Sequence, residues 1–564
     1  MERLIVMYDE LKHLSIQEQV EKLTRTLVGI PSVNGSEGGE VAVADAILGI
    51  LRSYPYFQDN PALVWEQTAI NDALNRKNVF AFVKGGVNAK QTIIYHAHID
   101  TVGVEDFGAL RAHAFDPDYL QRFFSGFEQD VDVQADAHSG DWMFGRGSVD
   151  MQSGAAVHLA NLLYFSEHRN ELPGNLLVMF NPDEESQHAG VKSAVFELER
   201  LKKEWGLEYV AAINNDFITP QYDGDTTRYI YTGAAGKILP SFYIYGREAH
   251  VGDTLQGVDP NFIAAELTRR IHNNVELCEN IPDEMVLPPT CLFQRDNKFT
   301  YNVQTATSSY LYFNYFLYRD SAADVMKKLR RIASGACQEI TQYLSSQYEE
   351  YLNRSGLPRK HLNWDIEVVS LEEYSQDLRN RGIDVEAVCA KVTEEHKMLD
   401  VRMISFKIVE VLNELDPVKK PRVILFFAPP YLPHNFLRED NLAEQAILTT
   451  MKSVLEKAQK ESGEKFEVKK FFPYLADGSY LSIHETNEEL QSLLKNLPNV
   501  GSLYTLPVEE IRRLNIPSIN MGVYGKDGHK WTERVYKPYS FGVLPDLIRE
   551  TTISLLNNVP VKVN

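Results

Sequence analysis

Cysteine is scarce. The 564 residues include four: Cys278, Cys291, Cys337 and Cys389, with no C-x-x-C spacing and all in the middle of the chain. That pattern excludes a disulfide framework and a thiolate metal site, and it predicts reduced packing cysteines of the kind a cytosolic protein keeps. Long apolar runs are also missing: no segment reaches about 18 uninterrupted apolar residues, so no membrane span is expected. The opening MERLIVMYDELKHL lacks the basic region, continuous apolar core and small-residue cleavage site of a secretion signal, and the sequence therefore predicts a cytoplasmic location. Positive charge is in deficit, with 57 Lys and Arg against 78 Asp and Glu and a formal net charge of −21. Such a chain repels phosphate backbones, and no basic stripe interleaved with aromatics offsets this, so nucleic acid is excluded as a partner. What is present suits a globular protein: 44% hydrophobic residues in a chain too long for one ordinary core, hence two domains.

The stretch IIYHAHID, residues 93–100, reads as a short buried strand running into a loop. His98 and Asp100 lie two apart, and on an extended backbone such residues share a side. Asp100 can then accept the N–H of the imidazole nitrogen that is not coordinating, as in a carboxylate–histidine–metal relay. The structural alternative is a satisfied polar pair. GRGSVDMQSG, residues 145–154, brackets Asp150 with glycines ahead of a helix, so Asp150 is a ligand or a partner of that helix's N-terminus.

In LLVMFNPDEESQHAG an apolar strand runs straight into Asp183, Glu184 and Glu185. Three adjacent acids repel one another unless cations lie nearby, and neighbours pointing opposite ways suit one as ligand and the other as general base. YVAAINNDF ends a further apolar run in Asp216. Acids at the carboxyl ends of successive strands mark the edge of an open α/β sheet where sites assemble. His529 follows the Gly-rich loop GKDG, and His250 ends the alternating strand KILPSFYIYGREAH.

From about residue 237 to 432 the texture shifts to two-layer α+β packing, and α/β texture returns after it. Residues 103–140 read as an irregular loop or insertion. Expected domains are thus 1–236 with 433–564, and 237–432 inserted between them.

In that order GIPSVNG, HID, GRGSVDMQSG, PDEE, GREAHVG with GVDP, and HKWTE resemble the motifs of the M20 family of metallopeptidases and deacylases, over most of the chain. Size and the long middle block are most similar to an arginine-utilisation branch. The resemblance implies a mixed-sheet α/β catalytic domain of zinc-peptidase type and an inserted α+β lid, enlarged over about 337–420, through which the protein would form homodimers. It also implies two divalent ions, zinc or else cobalt or manganese. One would be held by His98, Asp150 and Asp216, the other by Glu185, His529 and the shared Asp150. Glu184 would be the general base, Asp100 the orienting carboxylate, and His250 an oxyanion donor delivered by the lid. The family's Gly-Gly-Thr-Asp turn reads LADGS here, with Ala476 at the hydroxyl position while Asp477 and Gly478 remain. The expected activity is hydrolysis of an amide bond in a small N-acyl amino acid or a short peptide, with a dipeptidase or aminopeptidase, or a non-catalytic binding protein, as alternatives.

Overall fold

A computed structural model describes residues 7–86, 89–282, 284–474 and 476–560; the expected domain ends at 1–6 and 561–564, and Leu475 of the LADGS turn, lie outside them. The chain divides into two compact units: one holds residues to Ala235, His434–Ile483 and Pro507 onward, the other Gly236–Pro433 and His484–Leu506.

The first unit is built on an eight-stranded mixed sheet. Its centre is four neighbouring parallel strands in the order Asn175–Asn181, Gln91–His98, Glu208–Asn214 and Ser518–Asn520. Asn175–Asn181 is buried at every position and Gln91–His98 at all but the first. That explains why these segments read as continuous apolar runs rather than alternating ones: a parallel sheet is covered on both faces. Helices Gly39–Ser53, Gln152–Glu167, Ala189–Glu204 and Leu544–Asn558 pack on it. Tyr95 stacks on His158 at 4.7 Å and its hydroxyl meets Thr552 Oγ1 at 2.6 Å, which ties the central strand to two of those helices.

Register decides what arrives at the carboxyl edge. His98 pairs with Asn181, and His96 with Asn214. The segments that leave the sheet just beyond these pairs carry Asp100, Glu184 with Glu185, and Asp216. A small antiparallel sheet of Gly525–Lys526, Arg534–Tyr536 and Trp142–Phe144 anchors the turns that bear His529 and Asp150.

Residues 103–140 are not irregular. They form a 3-10 segment and the helices Pro117–Ser125 and Val131–Ser139, each started by an aspartate, Asp116 and Asp130, that accepts backbone N–H groups. Each helix is only nine residues long, and Tyr119, Leu120, Phe123 and Phe124 with the two caps were the legible signal.

The second unit carries a five-stranded sheet in the order Thr290–Asp296, Ser308–Leu317, Gly236–Tyr245, Arg422–Leu432, Glu367–Ser370. Here the expected two layers are three. Helices Leu371–Asn380, Val385–Glu395 and Val401–Leu415 pack on Leu239, Tyr243, Ile424 and Phe426, and the alternate positions Val423, Leu425 and Phe427 are equally buried. Helices Pro260–Ile271 and Ala322–Ser355 also pack on the sheet. His484–Leu506, expected with the first unit, belongs to this one. Asn496 O accepts the Phe427 N–H at 2.8 Å, and Tyr504 Oη donates to Tyr431 O at 2.7 Å, so the segment is stitched to the Arg422–Leu432 strand.

Candidate metal centre

At the carboxyl edge of the first unit's sheet, His98, Asp150, Glu184, Glu185, Asp216 and His529 come together. Ligand atoms of His98, Asp150 and Asp216 lie within 4.8 Å of one another, as do those of Asp150, Glu185 and His529, and those of His98, Glu184 and Glu185. Asp150 faces both histidines: Oδ1 lies 3.0 Å from His98 Nε2 and Oδ2 2.9 Å from His529 Nε2. His529 Nε2 is also 2.9 Å from Glu185 Oε1. This carboxylate turns one oxygen toward each imidazole, so it could serve two cations at once.

Glu184 and Glu185 do not point opposite ways. They sit in a turn rather than on an extended strand, and both reach the His98 side. Asp100 explains this. Its Oδ1 accepts the Glu184 N–H at 3.1 Å and its Oδ2 the Glu185 N–H at 3.0 Å, so one buried carboxylate clamps both peptides. The relay expected from spacing is correspondingly altered: His98 Nδ1 lies 3.1 Å from the Asp100 backbone oxygen and 3.5 Å from its carboxylate, so the carbonyl is the better acceptor.

Further residues hold the ligands. Glu533 is buried; its Oε1 accepts the N–H groups of Val149 and Asp150, both at 3.2 Å, and its Oε2 takes Arg146 Nη1 at 2.6 Å. Arg146 is buried too and binds Asp106 on its other side. Asn520 Oδ1 accepts the Asp216 N–H at 2.9 Å while its Nδ2 donates to Asp216 O at 3.0 Å. Gly522 passes so close that a Cβ there would lie 1.7 Å from the Asp216 oxygen. Asp477, from the altered LADGS turn, pairs with His188 Nδ1 at 2.9 Å. Arg146 and Glu533 were visible inside the GRG and HKWTE motifs, but no local pattern joins residues this far apart in sequence.

Charge makes the site a cation site. Burial and then the Asp150 charge push Asp216 up to about 8. Burial raises Glu184 well above the usual carboxylate range; His98 opposes this, and the Glu185, Asp216 and Asp477 charges add to it. Burial works against a charged His529, but Asp150 and Glu185 outweigh it and push it up to about 12. Glu184 Oε1 is buried without a hydrogen-bond partner. Burial and mutual repulsion raise Glu184, Glu185 and Asp216, and added positive charge between them would offset both. Imidazole nitrogen and carboxylate oxygen, with no thiolate, suit borderline and hard divalent ions.

His250 lies in the second unit, exposed, with Nδ1 accepting the Gly252 N–H at 3.1 Å. Among the described residues no helix is long and apolar enough to cross a membrane.

Similar proteins place the chain in a family. Protein RocB of Bacillus subtilis (strain 168) is 58% identical over 551 residues, 98% of this chain and 97% of that protein. Protein YqjN of the same organism is 32% identical over 96% of this chain and 97% of its own. Among solved structures, a tripeptidase from Staphylococcus aureus subsp. aureus mu50 shares the fold with a TM-score of 0.50 and 13% identity, covering 96% of this chain and 99% of that one. Residues 94–485 match the family described as peptidase family M20/M25/M40. With that match, the chain belongs to peptidase family M20/M25/M40 and is a metallohydrolase of that family.

Proposed function

We propose that the protein hydrolyses an amide bond in a small N-acyl amino acid or short peptide, in the cytoplasm and in arginine catabolism. The observation that carries the hydrolytic reading is Asp150 set between His98 and His529 beside a buried Glu184 whose Oε1 has no hydrogen-bond partner among the described residues. The arginine assignment rests on the resemblance of the chain's size and long middle block to an arginine-utilisation branch of the family.

His98 and Asp216 would hold one divalent ion, Glu185 and His529 the other, and Asp150 both; zinc fits the donors best, with cobalt or manganese as substitutes. Bound there, the ions would supply Lewis acidity toward the scissile carbonyl and lower the pKa of the attacking water. Glu184 would accept that water's proton and pass it to the leaving nitrogen. The base needs a charged carboxylate, and the ions' positive charge would offset the burial and the neighbouring acids that raise Glu184. Asp100 keeps the Glu184 and Glu185 peptides in register through the reaction.

His250 would stabilise the tetrahedral oxyanion, contributed by a second copy of the chain. Supporting a homodimer, the strand Thr290–Asp296 is an edge of its sheet and Leu292 on it is 52% exposed. The test of substrate class is a panel of N-acyl amino acids, dipeptides and tripeptides, arginine-containing ones first, against metal-loaded full-length protein. Preference for N-acyl amino acids supports deacylation, preference for free-amine peptides supports a peptidase, and hydrolysis of none overturns the catalytic reading.

A further inference from the structure

The segment GIPSVNGSEGGE, residues 29–40, contributes no ligand and no base, yet it touches both acid-bearing loops. Val33 pairs with Thr101 in an isolated parallel bridge. The Asn34 N–H donates to Thr101 O at 2.8 Å, and the Thr101 N–H to Ser32 O at 3.0 Å. This backbone lacing sets the Asn34 amide between two buried carboxylates. Its Nδ2 donates to Asp100 Oδ2 at 2.9 Å and to Asp183 Oδ1 at 3.1 Å. An amide nitrogen has two N–H groups, and both are spent here.

Each carboxylate that Asn34 bridges controls one side of the same turn. Asp100 holds the N–H groups of Glu184 and Glu185. Asp183, the residue before Glu184, stands at φ 69°, a left-handed conformation uncommon outside glycine that must be held by its surroundings. What holds it is visible. Arg76 Nη1 donates to Asp183 Oδ1 at 2.6 Å, Ala189 N–H to Oδ2 at 3.0 Å, and the Asp183 N–H donates to Glu40 Oε1 at 2.9 Å. Arg76, 7% exposed, also binds Asp72 Oδ1 through Nη2 at 2.6 Å. Glu40 comes from the same N-terminal segment as Asn34 and closes the loop by accepting the Gly35 N–H at 3.2 Å.

We propose that Asn34 is a positioning residue, which through Asp100 and Asp183 fixes the turn that aims Glu184 and Glu185 at the metal centre, with Glu40 and Arg76 locking the far side. The inference rests on the roles given above to Glu184 and Glu185. Without the Asn34 amide, Asp183 Oδ1 keeps Arg76 and Asp100 Oδ2 keeps the Glu185 N–H, but no group ties the two carboxylates together. Like charges in a buried site repel, and the cheapest relief is rotation of the peptides that carry the two glutamates.

The experiment loads full-length wild-type, Asn34→Leu and Asn34→Ser proteins with Co2+ and reads its visible absorption, its affinity, and kcat and KM on the best substrate of the panel. Leucine is close to isosteric and has no donor, while serine keeps one. The expected result for the folded fraction of Asn34→Leu is a changed Co2+ spectrum, a loss of about 10–100-fold in Co2+ affinity or kcat, and little change in KM, with Asn34→Ser between it and wild type. A spectrum, affinity and kcat within about twofold of wild type overturn the proposal, as does a loss that only follows the unfolded fraction. Should Asn34→Leu fail to fold, the same criteria apply to Asn34→Ser. Glu184→Gln measured alongside keeps the readings apart: full turnover with metal bound removes the base assignment, while the Co2+ spectrum of the Asn34 variants still judges positioning through Glu185.

Discussion

Replacing Glu533 by glutamine changes one oxygen to nitrogen at a site where every neighbour is a donor. Glu533 receives the Val149 and Asp150 N–H groups on Oε1 and Arg146 on Oε2, and both it and Arg146 are 1% exposed. A glutamine has one acceptor oxygen, so its NH2 must face either Arg146 or the two backbone N–H groups. One charge-assisted hydrogen bond is lost and a donor–donor contact replaces it, at a cost of about 1.5–3 kcal/mol. Arg146 keeps Asp106 and the Gly103 carbonyl, which favours a local shift of the 145–151 turn over global unfolding. Asp150 rides on that turn and would serve both ions, so the cost should surface as metal affinity, about 10–100-fold. Chelator competition with Zn2+ on wild type and Glu533→Gln measures it, with thermal melting beside it. Wild-type affinity in a folded variant would refute the claim that Glu533 holds Asp150 in place.

Three further outcomes are expected. Glu184→Gln should keep its metal and lose about 10²–10⁴-fold in turnover, measured as kcat at saturating metal; retained turnover would remove the base role. Mixing inactive Glu184→Gln chains with inactive His250→Ala chains should restore activity if His250 acts across a dimer, and no restoration after demonstrated subunit exchange excludes that route. Asp416 is held down to about 2: burial opposes this, but Arg422 and the Val418 N–H outweigh it. A depressed acid stabilises the fold above its unfolded pKa, so about 2 kcal/mol should be lost as pH falls from near 4 toward 2. Asp416→Asn should flatten that part of an acid-unfolding curve followed by tryptophan fluorescence, for instance from Trp364 in the same unit.

Much of the catalytic edge was readable because each ligand-bearing loop follows a strand of continuous apolar residues, and parallel strands deliver their carboxyl ends to one side. His98, Glu185 and Asp216 are products of that rule. Asp150 and His529 were readable only through the glycines around them and the motif order. What local sequence could not reveal was long-range partnership. Two-residue spacing pointed the Asp100 carboxylate at His98, whereas tertiary contacts spend it on the Glu184 and Glu185 peptides. Asn34 lies in the GIPSVNG motif with no ligand role of its own, and its contacts exist only where Asp100 and Asp183 converge. Likewise the His484–Leu506 segment carries no mark of the unit it joins, since the deciding bonds run to Phe427 and Tyr431.

The hydrolytic reading stands on a pair of divalent ions sharing Asp150. Elemental analysis of the full-length protein after saturation with Zn2+ and removal of excess, run on wild type, Asp150→Asn, Asp216→Asn and Glu185→Gln, tests it most directly. Two ions per chain are expected in wild type, about one in Asp216→Asn and in Glu185→Gln, and the largest loss in Asp150→Asn. A single ion in wild type, or two retained in folded Asp150→Asn, would contradict it.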